Sequence, residues 1–133
     1  MKLVVTLGIA GFAAMVVGAQ IPAAQENDPI KTNVLVLRVV NTVEASLGQG
    51  DQSYKPLSAV LEAPMFKERF NNAGQLDSVS ATVGAHRLVL VVSPDLKHYQ
   101  AMVSTGESCA ITMFTNEKGL IYSGQGLGCD KEK

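Results

Sequence analysis

Apolar positions along the chain change spacing twice. From Leu3 to Ala19 they run almost without a break. From Ile30 they recur at helical spacing, with Val36, Val40, Val43 and Leu47 on one face and Leu35 and Val39 widening it, while Lys31, Arg38 and Glu44 fall elsewhere. Asp28-Pro29 marks the start of this helix: Asp caps free first-turn amides and Pro suits the first helical position. Gly48 and Gly50 mark its end. The helix is rich in β-branched valine, so a strand over Val34–Val40 is the competing reading, and Asn41, Thr42, Glu44 and Ala45 continue better as helix. Gly48–Lys55 reads as a loop, Pro56–Leu61 as a short helix or turn, Pro64–Phe70 as a helical turn pairing Phe66 with Phe70, and Asn71–Gln75 as a turn.

Beyond this point the spacing shortens to that of strands. Arg87–Ser93 places Leu88, Leu90 and Val92 on one face and Val89 and Val91 on the other, the pattern of a strand covered on both sides. After a turn at Pro94–Lys97, the segment His98–Ser104 alternates, with Tyr99, Ala101 and Val103 inward. Cys109–Thr115 reads as a third strand, Asn116–Gly119 as a hairpin loop and Leu120–Ser123 as a fourth strand, with Ser78–Val83 as an earlier edge strand. Links this short join antiparallel neighbours. The expected fold class is therefore α+β: one N-terminal helix packed on a four- or five-stranded antiparallel meander, closed by a C-terminal disulfide loop.

The opening stretch has another character. Lys2, an uncharged run of about 17 residues, then the small residues Gly18 and Ala19 follow the order of a secretory signal, with cleavage expected after Ala19. The run sits at the lower limit for a spanning helix, holds Gly8, Gly11 and Gly18, and is followed by Gln20 and Pro22, which argues against a lasting anchor. The expected organisation is 1–19 signal peptide, 20–27 linker and 28–133 a single α+β domain. A periplasmic or secreted location follows, with no membrane contact after cleavage. Cys109 and Cys129 are the only cysteines, and an oxidising compartment favours their pairing, with two unpaired thiols as the alternative. The closed loop of about 20 residues contributes on the order of 3 kcal/mol in a chain-entropy account.

Charge and composition narrow the function classes. The formal net charge is −1, and removal of Lys2 with the leader leaves 10 basic against 12 acidic side chains. A balanced chain without a clustered basic field gives no ground for nucleic acid or an anionic membrane as partner. Without Trp, and with three Tyr and four Phe, a stacking platform for bases or sugars is not expected.

Candidate chemistry is sparse. His86 and His98 flank a hairpin near Ser93, Asp95 and Ser104, yet no nucleophile elbow or oxyanion turn surrounds either serine, so they read as surface histidines. The acids fall mostly in turns, where they are solvated rather than convergent. Gly124–Gly128 lacks a following helix to hold a phosphate and reads as the flexible return that brings Cys129 to Cys109. Neither His has a Cys at ligand spacing, and Asn116–Gly119 lacks calcium-loop oxygens, so no metal or cofactor is expected and no catalytic residue is assigned.

Two stretches resemble one family. Leu37-Arg38-Val39-Val40-Asn41-Thr42-Val43-Glu44-Ala45 is similar to the L-R-x-I-N-T-A helix of bacterial type IV pilin-like and pseudopilin-like proteins. Phe114 to Gly124 (FTNEKGLIYSG), between the two Cys, is similar to their F-S-D-E-x-G-V-I-Y-x-G end. The resemblance implies a helix on an antiparallel sheet with a C-terminal disulfide loop, in a protein that assembles rather than catalyses. The prepilin cleavage pattern is absent: after Gly11-Phe12 the fifth residue is Val16 rather than Glu, and Pro22 and Pro29 interrupt any long stalk helix. The expectation is an exported, non-enzymatic, pilin-head-like domain that acts through contacts with a protein partner. The alternative is a periplasmic small-ligand or sensor domain using a groove between helix and sheet lined by Val39, Val43, Tyr99 and Phe114.

Overall fold

The computed structural model describes residues 28–126 and Cys129. The expected signal peptide and linker, over 1–27, lie outside the described residues, as do Leu127, Gly128 and the tail from Asp130. Helix α1 spans Pro29–Leu47, α2 Leu57–Glu62 and α3 Pro64–Arg69. Strands follow as β1 Ala73–Gln75, β2 Ser80–Val83, β3 His86–Val92, β4 Tyr99–Ser104, β5 Thr112–Asn116 and β6 Ile121–Gly124. They form one antiparallel sheet in chain order, β1 to β6. The α+β architecture is as expected from the sequence, with six strands in place of four or five.

Helix α1 begins where its cap dictates. The Asp28 carboxylate accepts from the amides of Ile30 at 3.0 Å and Lys31 at 3.4 Å. It ends at Gly48, whose amide donates to the Glu44 carbonyl at 2.9 Å. The reason for glycine there is space rather than a left-handed backbone: φ is −82°, and a Cβ would meet the carbonyl oxygens of Glu44 at 3.0 Å and Ser53 at 3.1 Å. The buried stripe of α1 is Asn33, Val36, Leu37, Val40, Val43 and Glu44. It is rotated from the expected face. Leu37 takes the central place, Leu35 is half-buried, and Glu44, expected off the apolar face, is fully buried.

The helices cover one face of the sheet. That face presents Ala81, Val83, Leu88, Leu90, Tyr99, Ala101, Val103 and Met113 to α1, α2 and α3, which contribute Leu57, Val60 and Phe66. Burying a large side chain such as Phe66 or Leu88 stabilises the fold by roughly 1.5–3 kcal/mol. Phe66 and Phe70 stack as their spacing implied, with centroids 5.0 Å apart.

Four strand expectations are corrected. Ala73–Gln75, read as turn, pairs with β2 as a three-residue edge, so β2 lies inside the sheet. β5 starts at Thr112, because Cys109 adopts φ +66° and takes Cys109–Ile111 out of the ladder. β6 runs Ile121–Gly124. β3 is covered on one side only: Leu88 and Leu90 are buried, while Val91 is 49% exposed. The disulfide between Cys109 and Cys129 is formed, with Cα atoms 5.1 Å apart. It fixes the loop ahead of β5 to the segment that follows β6, where Gln125 Nε2 also donates to the Cys109 carbonyl at 2.8 Å.

Candidate functional site

Two places on the surface of the described residues break the rule that buried polar groups are paired and exposed sheet faces are polar. One is a cleft at the N-terminal end of α1, the other the open face of the sheet.

The cleft, about 550 Å³ in volume, lies between the start of α1, the β2–β3 turn and the link from β4 to β5. A two-residue turn, Gly84-Ala85, with Gly84 at φ +59°, starts β3 so that His86 Nδ1 meets Asn33 Oδ1 at 2.7 Å. An amide oxygen only accepts, so Nδ1 carries the proton and Nε2 remains an acceptor. Burial holds the His86 pKa below its usual value, which favours this neutral form. Asn33 is 1% exposed, and its Nδ2 has no partner among the described residues; nor has the buried Thr105 hydroxyl. The other walls include Ile30, Ile111 and Glu107.

The interior of the helix–sheet layer is the contrasting case. Asn41 Nδ2 donates to Thr115 Oγ1 at 2.9 Å, and Asn41 Oδ1 accepts from the Tyr99 hydroxyl at 2.6 Å. Thr115 Oγ1 donates in turn to the Leu120 carbonyl at 2.9 Å, so α1, β4, β5 and the last hairpin share one network. Glu44 Oε2 accepts from the Lys55 amide at 2.9 Å while Oε1 has no partner among the described residues. Burial raises the Glu44 pKa. Burial first, then the nearby Glu44 carboxyl, raises that of Tyr99.

The groove expected between helix and sheet is therefore filled. Val43 at 2% and Tyr99 at 3% exposure are core, and Val39 packs half-buried against it. Phe114 is not with them: Met113 and Thr115 face the helix, so Phe114 points to the opposite face.

That opposite face is unusual. Phe114 lies between Met102 and Tyr122 in register, and Val89 is next to Met102 on β3. Val91 is 49%, Phe114 38% and Tyr122 50% exposed. Outward positions around them are uncharged (Gln100, Thr112, Asn116), and Arg87 stands at the start of β3. The Phe114 ring leans over Gly124, where a Cβ would come within 3.0 Å of it. The sequence signal for this face was the second apolar set of β3, Val89 and Val91.

The histidine–serine pairings expected to be bland are simple surface contacts. His98 Nδ1 meets Glu117 Oε1 at 3.1 Å, and the Ser93 hydroxyl donates to Asp95 at 2.5 Å rather than to an imidazole. That hydroxyl lowers the Asp95 pKa, and Glu117 is lowered by its own backbone amide and by His98.

No family profile, no curated protein and no solved structure matches the chain.

Proposed function

We propose that the protein is an exported, non-enzymatic domain of the cell envelope that works through protein contacts made by the open face of its sheet. The observation that carries this reading is that face: helices cover one side of the meander, and the other presents Val91, Phe114 and Tyr122 at large exposure. An antiparallel sheet facing only water alternates apolar-in with polar-out, and β3 does not. The formed Cys109–Cys129 disulfide agrees with an oxidising location. Among the described residues no helix is long and apolar enough to cross a membrane. The likeness of the Leu37–Ala45 and Phe114–Gly124 stretches to pilin-like heads supports an assembling role in place of a reacting one.

In-cell photocrosslinking tests this. A photoreactive phenylalanine analogue at Tyr122 gives a discrete protein adduct in the envelope fraction, on chains that begin at Gln20. The same analogue at the exposed Arg38 of α1 gives none. Equal adducts at both positions, or full-length chains with reduced thiols in the cytosol, refute the reading.

A second reading, a small-ligand or sensor domain, is favoured by the cleft at Asn33. Among the described residues its buried amide nitrogen and the Thr105 hydroxyl lack partners, in a wall that also offers His86 Nε2 and the apolar side chains of Ile30 and Ile111.

A further inference from the structure

The cleft at the start of α1 restricts the chemistry of what it can hold. We infer that it binds a small uncharged amide with an apolar side group, whose carbonyl oxygen accepts from Asn33 Nδ2 and whose N–H donates to His86 Nε2. This rests on the small-ligand reading above and names the ligand's class.

Three properties of the cleft carry the inference. The first is a pair of buried polar groups. Asn33 is 1% exposed, and its Nδ2 and the Thr105 hydroxyl have no partner among the described residues. Buried polar groups are as a rule paired, and both residues line the cleft, so the partner enters from there. An amide nitrogen only donates, so that partner brings an acceptor. The second is His86. Its Nδ1 is bonded to Asn33 Oδ1 at 2.7 Å, which leaves Nε2 as an acceptor on the neighbouring side chain. A donor and an acceptor on two bonded side chains match the carbonyl and the N–H of one amide. A ligand hydroxyl would have to serve both from a single atom. The third is the wall. Among the described residues that line the cleft, with His86 neutral, Glu107 carries the one charge, and it is exposed. An anion would meet that carboxylate with no cation to offset it. An ammonium brings only donors and leaves Asn33 Nδ2 without an acceptor. Pro29, Ile30, Ala110 and Ile111 suit a hydrocarbon group, and a volume of about 550 Å³ lies in the range of small-molecule sites.

Isotope-edited NMR titration of the exported, disulfide-intact protein tests this with three probes that share a leucine side chain. N-acetyl-leucine methylamide is uncharged, N-acetyl-leucine is an anion and leucine methylamide a cation. The expected result is that the uncharged probe shifts the Asn33 side-chain amide and the His86 ring signals in a saturable way, while the anion and the cation bind at least about tenfold more weakly. Asn33→Asp keeps an oxygen toward His86 Nδ1 and deletes the donor, so it lowers the affinity for the uncharged probe at least about tenfold. Thr105→Val removes the second unpaired group at nearly constant volume, lowers that affinity about threefold, and serves if the Asn33 variant misfolds. Unchanged affinity in the folded variants overturns the assignment of these groups. Saturable shifts at the same residues that favour the anion or the cation overturn the ligand class and leave the small-ligand reading standing. No saturable shift at Asn33, Thr105 or His86 with any of the three means that water alone fills the cleft, and overturns both.

Discussion

Leu90 and Val91 are neighbours on β3, yet one is 1% and the other 49% exposed. They stand for the two faces of the sheet. The inner face is apolar and closed, and Asn41, Tyr99 and Thr115 are joined there into one network. The outer face has nearly the same apolar content along β3 and nothing from the described residues above it. Composition alone does not separate them; the difference lies in what each face meets. One apolar face is used up in folding, and the other is left open.

The sharpest way to break this comparison is to truncate both neighbours. Leu90→Ala removes a side chain packed in the core beside Leu88 on the inner face, and should cost about 3 kcal/mol, as buried leucines do. Chemical denaturation should show it as a fall in midpoint at unchanged slope. A loss below about 1 kcal/mol would mean that the inner face is not closely packed, and the contrast would fail.

A smaller effect is expected from the polar part of the inner face. Glu44 is fully buried, with one carboxyl oxygen on the Lys55 amide and the other unpaired among the described residues. Burial raises its pKa above the ordinary 4.5. Between 4.5 and the raised value the folded state holds a proton that the unfolded chain has released, so stability falls as pH rises through that window. The contribution of the protonated form is fully present below 4.5 and lost above the folded pKa. Glu44→Gln keeps an acceptor for Lys55 and removes the ionisation. It should raise stability at neutral pH by about 1 kcal/mol and flatten this part of the pH profile. Thermal melts of both proteins at pH 4 and pH 7 check the sign; a variant less stable at neutral pH would show that the carboxylate is favourable there.

The sequence carries these two features unequally. Helix α1 is legible because Asp28-Pro29 and Gly48 punctuate it, and the meander because its strands are joined by turns such as Asn116–Gly119. β1 is not legible: Ala-Gly-Gln has no alternation, and only pairing with β2 makes it a strand. Asn33 and Glu44 stand on the same helical stripe as Val36, Leu37, Val40 and Val43, and that spacing was the available sign that both are buried. The apolar pattern alone left Glu44 off the core face. Phe114 was assigned to the wrong side because Cys109–Thr115 offers apolar residues on both faces. The Thr115 hydroxyl bonded to Asn41 settles the phase of β5, with Met113 beside it facing in and Phe114 out. A helix-to-strand bond of this kind joins residues 74 apart and cannot be read from local pattern.

The smallest expected effect is the one that isolates the outer face. Val91→Thr keeps a β-branched side chain of similar volume on an exposed strand position and replaces a methyl by a hydroxyl. At half exposure that hydroxyl stays hydrated in the monomer, so folding stability should move by no more than about 0.5 kcal/mol. In the proposed protein contact the same hydroxyl is buried against an apolar surface without a partner, which costs association. The two measurements therefore part company on one atom: the denaturation midpoint stays put while the yield of the Tyr122 photoadduct falls. If unfolding of the monomer shifts as much as it does for Leu90→Ala, Val91 belongs to the folded core, and the outer face is no separate surface.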